Sequence, residues 1–355
     1  MSQINLLDLI CEKVKNLKAY QVETVDEGIK LHANENPYPP SPELKSLILA
    51  HLENLDLNRY PDPDCKSLKE AISNRLGVST EQLVIGNGSD ELIQHLMQVF
   101  CDDGDTVAFP EPTFAMYSIL AKGMGLNTQT FELDNKWDFE AKSIIKKLTA
   151  SHARIVFISY PNNPTGNCFS RVEIQKLIEN FEGIVVLDEA YYDFSGQTFI
   201  NQMSDHNNLV ILRSLSKIGL AGLRVGYGIF PRVLVNEINK IRLPYNSNSV
   251  TQIAATELLN NFSLVQKQID SIKKERIRLL KELTKIKSIN TYQSDSNFIL
   301  FQANENGEKV FRNLMENHIL VRNLGSHPML KNCLRVTIGT EAENDQFLNQ
   351  LKKAI

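Results

Sequence analysis

Three stretches of the chain end in side chains able to do chemistry: Asn162-Asn163-Pro164-Thr165-Gly166, Asp188-Glu189-Ala190-Tyr191 and Ser214-Leu215-Ser216-Lys217. Each follows a run of apolar, mostly β-branched residues, Ile155–Ile158, Gly183–Leu187 and Leu209–Leu212. A lysine amine at a buried strand end sits in a partly dry place, where its proton affinity falls and it becomes a nucleophile for an aldehyde. Taken alone, Lys217 reads as a solvated lysine, Asp188 as a helix cap or loop anchor, and Tyr191 as a packed aromatic. Together they suit a Schiff-base lysine, with an aspartate that keeps a pyridine nitrogen protonated and a tyrosine within reach of the ring oxygen. That is the pyridoxal phosphate arrangement, in which the ring absorbs carbanion electrons.

Gly86-Asn87-Gly88-Ser89-Asp90-Glu91 lies between a strand-like and a helix-like run. Glycines before a helix N-terminus form a phosphate cradle from backbone N–H groups and the helix dipole. Ser89 is equally a good N-cap of an ordinary helix. Glu91 occupies the place of the third glycine of a dinucleotide fingerprint, which disfavours that reading. Arg224 follows Lys217 closely and suits a second phosphate ligand, because a guanidinium matches phosphate oxygens in a fork. Ser214 and Ser216 add hydroxyl donors. S-x-x-K at 214–217 also matches a penicillin-binding nucleophile, but the chain has no K-T-G partner. Neither G-x-x-x-x-G-K-[ST] nor G-x-S-x-G occurs.

The elements that must position these groups belong to a chain of 355 residues with 42% hydrophobic and 23% charged residues. That composition excludes fibrous and disordered classes. A net charge of −4 gives no global basic footprint for nucleic acid. Five scattered cysteines without a C-x-x-C pair, and no H-E-x-x-H, argue against a structural zinc, and no metal site is expected. No run of 18 apolar residues occurs, so no membrane span is expected. The N-terminal 20 residues read as an amphipathic helix, not a signal peptide. A soluble, cytoplasmic protein is the expectation.

From about 80 to 245, strand-like runs at 83–86, 106–110, 154–161, 183–191, 208–217 and 225–230 alternate with helical stretches. Near-continuous apolar strands suit a parallel sheet covered on both faces, hence an α/β fold with helices flanking a mostly parallel sheet. After 245 come long charged helices over about 250–286, NFILFQ, a helix near 307–317, ILVRN, CLRVTIG and a last helix, which suggest a smaller α+β domain. The expected division is an N-terminal arm over 1–30, a large domain over 31–245 and a small one over 246–355. The Pro- and Asn-rich 31–64 region reads as extended and loop-like.

In order, G-N-G-S-D-E, P-N-N-P-T-G, D-E-A-Y, S-L-S-K and G-L-R-V-G resemble the aspartate-aminotransferase, or type I, fold of pyridoxal-phosphate enzymes. With L-H-A-N-E-N-P (31–37), R-Y-P-D (59–62), P-T-F-A-M-Y (112–117), L-V-R (320–322) and C-L-R-V-T-I-G (333–339), the chain most resembles the histidinol-phosphate aminotransferase family. The resemblance implies pyridoxal 5'-phosphate as cofactor, with Lys217 forming the Schiff base and moving the proton. It implies Asp188 at the pyridine nitrogen, Tyr191 and Asn163 at the ring oxygen, and Phe114 on the ring face. Ser89, Asp90, Ser214, Ser216 and Arg224 would surround the phosphate, joined by Tyr60 from a neighbouring subunit of a homodimer. Arg322 and Arg335 would bind the anionic end of the substrate, with Tyr20 and Asn34 lining its pocket. The implied reaction converts histidinol phosphate and 2-oxoglutarate to imidazole acetol phosphate and glutamate, in histidine biosynthesis. A threonine-phosphate decarboxylase-like or aromatic aminotransferase activity is the alternative. Three positions depart from the family pattern. Phe114 stands where many members have tyrosine, His32 where asparagine is common, and the Lys217–Arg224 loop is one residue shorter than in some relatives.

Overall fold

The computed structural model describes residues 5–15, 17–19 and 28–355. A short strand β1 (Ile29–Lys30) precedes a seven-stranded sheet made of β2 (Leu83–Asn87), β3 (Thr106–Glu111), β4 (Asn127–Glu132), β5 (Ala153–Ser159), β6 (Ile184–Asp188), β7 (Leu209–Ser214) and β8 (Val225–Ile229). Its spatial order is β2-β8-β7-β6-β5-β3-β4. All neighbours pair in parallel except β8, which runs antiparallel to both β2 and β7. The fold is therefore α/β with a mostly parallel sheet, as its apolar strand runs predict.

Successive side chains on a strand point to opposite faces. Val185 and Leu187 of β6, with Leu209 and Ile211 of β7, join one apolar core, while Val186, Val210 and Leu212 join the other. Both faces are thus covered, and β7 and β8 are buried at every position. The edge strand β4 buries only Phe131, so its Asn-Thr-Gln-Thr start shows no apolar run and is not legible as a strand in the sequence.

The second sheet holds β9 (Ile289–Thr291), β10 (Phe298–Ala303), β12 (Arg322–Asn323) and β13 (Cys333–Thr337) in the antiparallel order β12-β13-β10-β9. Helices Ser249–Asn260 and Phe262–Thr284 fill the charged stretch before it, and helices Gly307–Glu316 and Glu341–Ala354 lie within and after it. The ILVRN run divides: β11 (Ile319–Leu320) pairs in parallel with β1, and Arg322–Asn323 joins β13. The 28–37 segment is thereby sewn to this side of the molecule, with Thr337 N–H donating to the Leu31 carbonyl at 2.9 Å.

Two expectations need correction. The 31–64 region is not all loop: Pro42–Leu52 is an 11-residue helix, started by the Ser41 cap on the Leu44 N–H and by Pro42 in the first turn, and seated by buried Leu44. The N-terminal amphipathic helix is reduced, among the described residues, to a 3-10 turn at Leu6–Leu9 and one helical turn at Glu12–Lys15, with nothing buried in either. With nothing buried in either turn, little apolar burial offsets the cost of nucleating a longer helix. Among the described residues, no helix is long and apolar enough to cross a membrane.

Glu189 and Arg213 form an ion pair at 2.8 Å with side chains 0% and 3% exposed. Thr198 Oγ1 and the Phe199 N–H also donate to the Glu189 carboxylate. By strand alternation Arg213 faces away from Leu212, onto the core opposite the one that Val186 joins. The pair pins the ends of β6 and β7. Glu189→Ala leaves a buried guanidinium without its counter-charge and should cost about 3–5 kcal/mol in folding stability, read from chemical denaturation.

Candidate active site

Parallel strands end on one edge of a sheet, and ligands in open α/β folds bind there. Gly88-Ser89 follows β2, Pro112–Phe114 follows β3, Asn163 follows β5, Asp188 ends β6, and Ser214-Leu215-Ser216-Lys217 closes β7. Because β8 is reversed, Arg224 at its start reaches the same edge. A cavity of about 550 Å³ opens there. Lys217, Asp188, Tyr191, Asn163, Phe114, Ser89, Asp90, Ser214, Ser216, Arg224, Asn34, Arg322 and Arg335 all line it.

Lys217 is half-buried, with Nζ 5.9 Å from the Tyr191 ring centroid. Burial pulls its pKa down to about 8, helped by the nearby charges of Arg335 and Arg224 and opposed by Asp90 and Glu35. Much of the amine is therefore neutral in mildly alkaline solution. Asp188 is 3% exposed, and burial raises its carboxyl to about 6. Two donors hold the carboxylate against that trend: Tyr117 Oη at 2.9 Å and the Ala190 N–H at 3.2 Å. The Tyr191 hydroxyl is pushed up to about 12, chiefly by burial, so it stays protonated. Asn34 Nδ2 donates to its oxygen at 3.0 Å, which leaves the phenolic proton to donate elsewhere.

At one end of the cavity the helix Ser89–Phe100 begins after Gly88, without a side-chain cap. Its first N–H groups need a partner, and the helix dipole favours an anion there. The Arg224 guanidinium stands beside this turn, bonded to Asp90 at 2.9 Å. A Cβ on Gly88 would lie 2.6 Å from Arg224 Nη2, so glycine admits the guanidinium. A Cβ on Gly226 would meet the Ser89 nitrogen at 2.2 Å, so β8 can press against the turn only with glycine there. The Ser214 hydroxyl accepts from the Ser216 N–H at 3.1 Å, which folds both serines into the same corner. These donors suit a tetrahedral dianion.

The cavity is also lined by two arginines that are register partners on antiparallel strands, Arg322 on β12 and Arg335 on β13. Arg335 donates to Asn163 Oδ1 and, at 2.7 Å, to the His32 carbonyl, and lies over the Phe298 ring. With its oxygen so engaged, Asn163 keeps its amide N–H groups for the cavity.

Sequence reasoning passed over three positioning residues. Tyr117, inside the quoted P-T-F-A-M-Y, holds Asp188 and stacks on Phe157 at 5.1 Å. Thr337 and Asn297 hold Asn34. Alternation along C-L-R-V-T places Thr337 on the same face as Arg335, and that signal could have found it. Phe114 lines the cavity and meets Tyr117 edge-on at 5.5 Å, and His32 lines it too. The shortened Lys217–Arg224 loop is two 3-10 turns, ending with Arg224 in the left-handed region at φ 55°. Tyr60 does not reach this chain's cavity: it is 80% exposed and stacks on Tyr245 at 4.4 Å. Tyr20 lies outside the described residues.

The family described as aminotransferase class I and II matches residues 26–351. Histidinol-phosphate aminotransferase 2 of Nitrosococcus oceani is 40% identical over 355 residues, covering 99% of each chain. Histidinol-phosphate aminotransferase of Aquifex aeolicus is 39% identical over 348 residues, covering 98% of each. Among solved structures, the histidinol-phosphate aminotransferase of Clostridium acetobutylicum superposes with a TM-score of 0.84 at 28% identity, over 92% of this chain and 98% of that one. Likeness at this level from end to end, together with a cavity built from the same ordered motifs, shows that the chain belongs to the class I and II aminotransferases.

Proposed function

We propose that the chain is a pyridoxal-phosphate-dependent aminotransferase that converts L-histidinol phosphate and 2-oxoglutarate to imidazole acetol phosphate and L-glutamate, in histidine biosynthesis. The observation that carries it is one cavity lined by Lys217 and Asp188 together with Arg224, Arg322 and Arg335. The relatives near 40% identity bear the histidinol-phosphate name, which favours this substrate over phosphothreonine or aromatic amines.

The cavity fits the cofactor group by group. The uncapped helix start, Arg224 and the hydroxyls of Ser89, Ser214 and Ser216 suit its phosphate. Asp90 orients Arg224. Buried Asp188 suits the ring nitrogen, and the Tyr191 hydroxyl and Asn163 amide suit the ring oxygen. Phe114 offers an aromatic face. When bound, the cofactor supplies an aldehyde for an amine and a ring that takes up the electron pair left on a substrate carbon.

This chain's own residues do the rest. Lys217 would hold the cofactor through its amine and, once freed by the substrate amine, would serve as the general base and acid that takes a proton from one carbon and returns it to another. Its lowered pKa suits both directions. Asp188, tethered by Tyr117, keeps a proton on the ring nitrogen. Arg335 and Arg322 hold the anionic end of each substrate in turn, a phosphate in one half-reaction and a side-chain carboxylate in the other. Guanidinium groups bind both. Asn34, and by the family resemblance Tyr20, complete this pocket.

The enzyme works as a homodimer in which Tyr60 reaches the phosphate of the partner subunit. What supports this is an exposed apolar surface: the stacked Tyr60 and Tyr245 rings, Leu57 at 82% and Leu243 at 69% exposure. Exposed apolar patches of this kind mark association surfaces.

The deciding experiment adds histidinol phosphate, without keto acid, to protein saturated with pyridoxal phosphate. The visible band should convert to the pyridoxamine form, and a band that ignores histidinol phosphate but responds to threonine phosphate or phenylalanine would move the assignment. Lys217→Ala should lower steady-state turnover by at least about 10³-fold. Truncating Arg335 to alanine removes a charge-assisted contact worth about 1.5–3 kcal/mol, so kcat/KM for histidinol phosphate should fall roughly 10- to 150-fold. For Tyr60, mixing Lys217→Ala and Tyr60→Ala subunits should restore activity that neither parent has. Only a Tyr60 acting across the interface can rebuild an intact site in the hybrid.

A further inference from the structure

Tyr191 has one hydroxyl proton, and its direction decides whether the group donates into the cavity or away from it. Asn34 Nδ2 donates to the Tyr191 oxygen, so the proton is left for the cavity. An asparagine amide has a second orientation, in which its oxygen would face Tyr191 and take that proton instead. Thr337 discriminates between the two. Its Oγ1 accepts the Asn34 backbone N–H at 3.0 Å, and its own proton goes to Asn34 Oδ1 at 3.1 Å. Turning the amide over would present an NH₂ to Thr337, and the hydroxyl proton of this residue, 2% exposed, would lose its acceptor. Asn297 Nδ2 clamps the Asn34 carbonyl at 3.0 Å. The Asn34 backbone lies at φ 56°, a left-handed conformation that asparagine tolerates.

We propose that Thr337 is a positioning residue: by fixing the orientation of the Asn34 amide, it aims the Tyr191 hydroxyl proton at the ring oxygen of the bound cofactor. The inference rests on the cofactor reading above. A donor at the ring oxygen matters most when that oxygen carries its full negative charge, after the nitrogen joining Lys217 to the cofactor has lost its proton. Losing the donor therefore makes that nitrogen hold its proton to higher pH.

The test is a pH titration of the visible absorbance of the holoenzyme. Thr337→Val should move the midpoint upward by roughly 0.3–1 pH unit, the size of one modest hydrogen bond. Tyr191→Phe should move it the same way and at least as far. Thr337→Ser keeps the hydroxyl and should titrate with wild type. In the Tyr191→Phe background Thr337→Val should add nothing, because the two act through one proton. Should Thr337→Val fail to fold, Thr337→Ala removes the same hydroxyl and carries the same expectation. In the cofactor-free protein, the Asn34 side-chain NH₂ should exchange with solvent faster in these variants than in wild type. An unmoved midpoint, or an equal shift in the Tyr191→Phe background, overturns the relay. A wild-type protein with no visible band after incubation with pyridoxal phosphate overturns the cofactor reading and this proposal with it.

Discussion

Lys217 stands half-buried within the field of two guanidinium groups, and burial first, then that repulsion, weakens its hold on a proton. Desolvation and like charge both disfavour an ammonium, which is how a lysine becomes a usable nucleophile near neutral pH. The two cations are themselves managed. Arg224 is held to Asp90, and Arg335 is spread over Asn163, the His32 carbonyl and the Phe298 ring. Asp188 shows the opposite sign of the same physics. Burial raises it, and the donors Tyr117 and Ala190 N–H keep its charged form within reach.

The sheet supplies this arrangement through adjacency. Residues next to each other near a strand end face opposite ways, so one can serve the cavity while its neighbour secures the frame. Asp188 lines the cavity and Glu189 enters the buried pair, while Ser214 lines the cavity and Arg213 completes that pair. The reversed β8 adds what parallel strands alone would not, an arginine entering the same edge from the other chain direction. Its close seat against the start of the Ser89 helix depends on Gly226 having no Cβ.

Much of this was legible because the loops after apolar strands carry residue types that packing does not ask for. Asn163, Asp188, Lys217 and Arg224 stand out against Ile, Val and Leu. The sheet's central strands were equally plain. What stayed hidden is tertiary. Tyr117 meets Asp188 across 71 positions, Thr337 meets Asn34 across 303, and Asn297 meets Asn34 across 263; alternation puts Thr337 on the face of Arg335, but no local pattern announces its partner. Strand β4 was hidden by its exposure, and the Pro42–Leu52 helix by the prolines around it, although Ser41-Pro42 is itself a helix start.

Arg322 and Arg335 sit directly opposite each other on antiparallel strands, where like charges destabilise the pair. A sheet built only for stability would place an acid or an apolar residue at one of these positions. An anion lying between the two guanidinium groups would relieve that repulsion. Under the proposed function, one pair of guanidinium groups would serve both a phosphate and a carboxylate, because both present oxygens that match the same fork of donors. Arg224, beside the Gly88–Ser89 turn, is a further cation lining the same cavity as Lys217 and Asp188. On the proposed function, anions held by these arginines would be brought to the Lys217 amine that lines the same cavity.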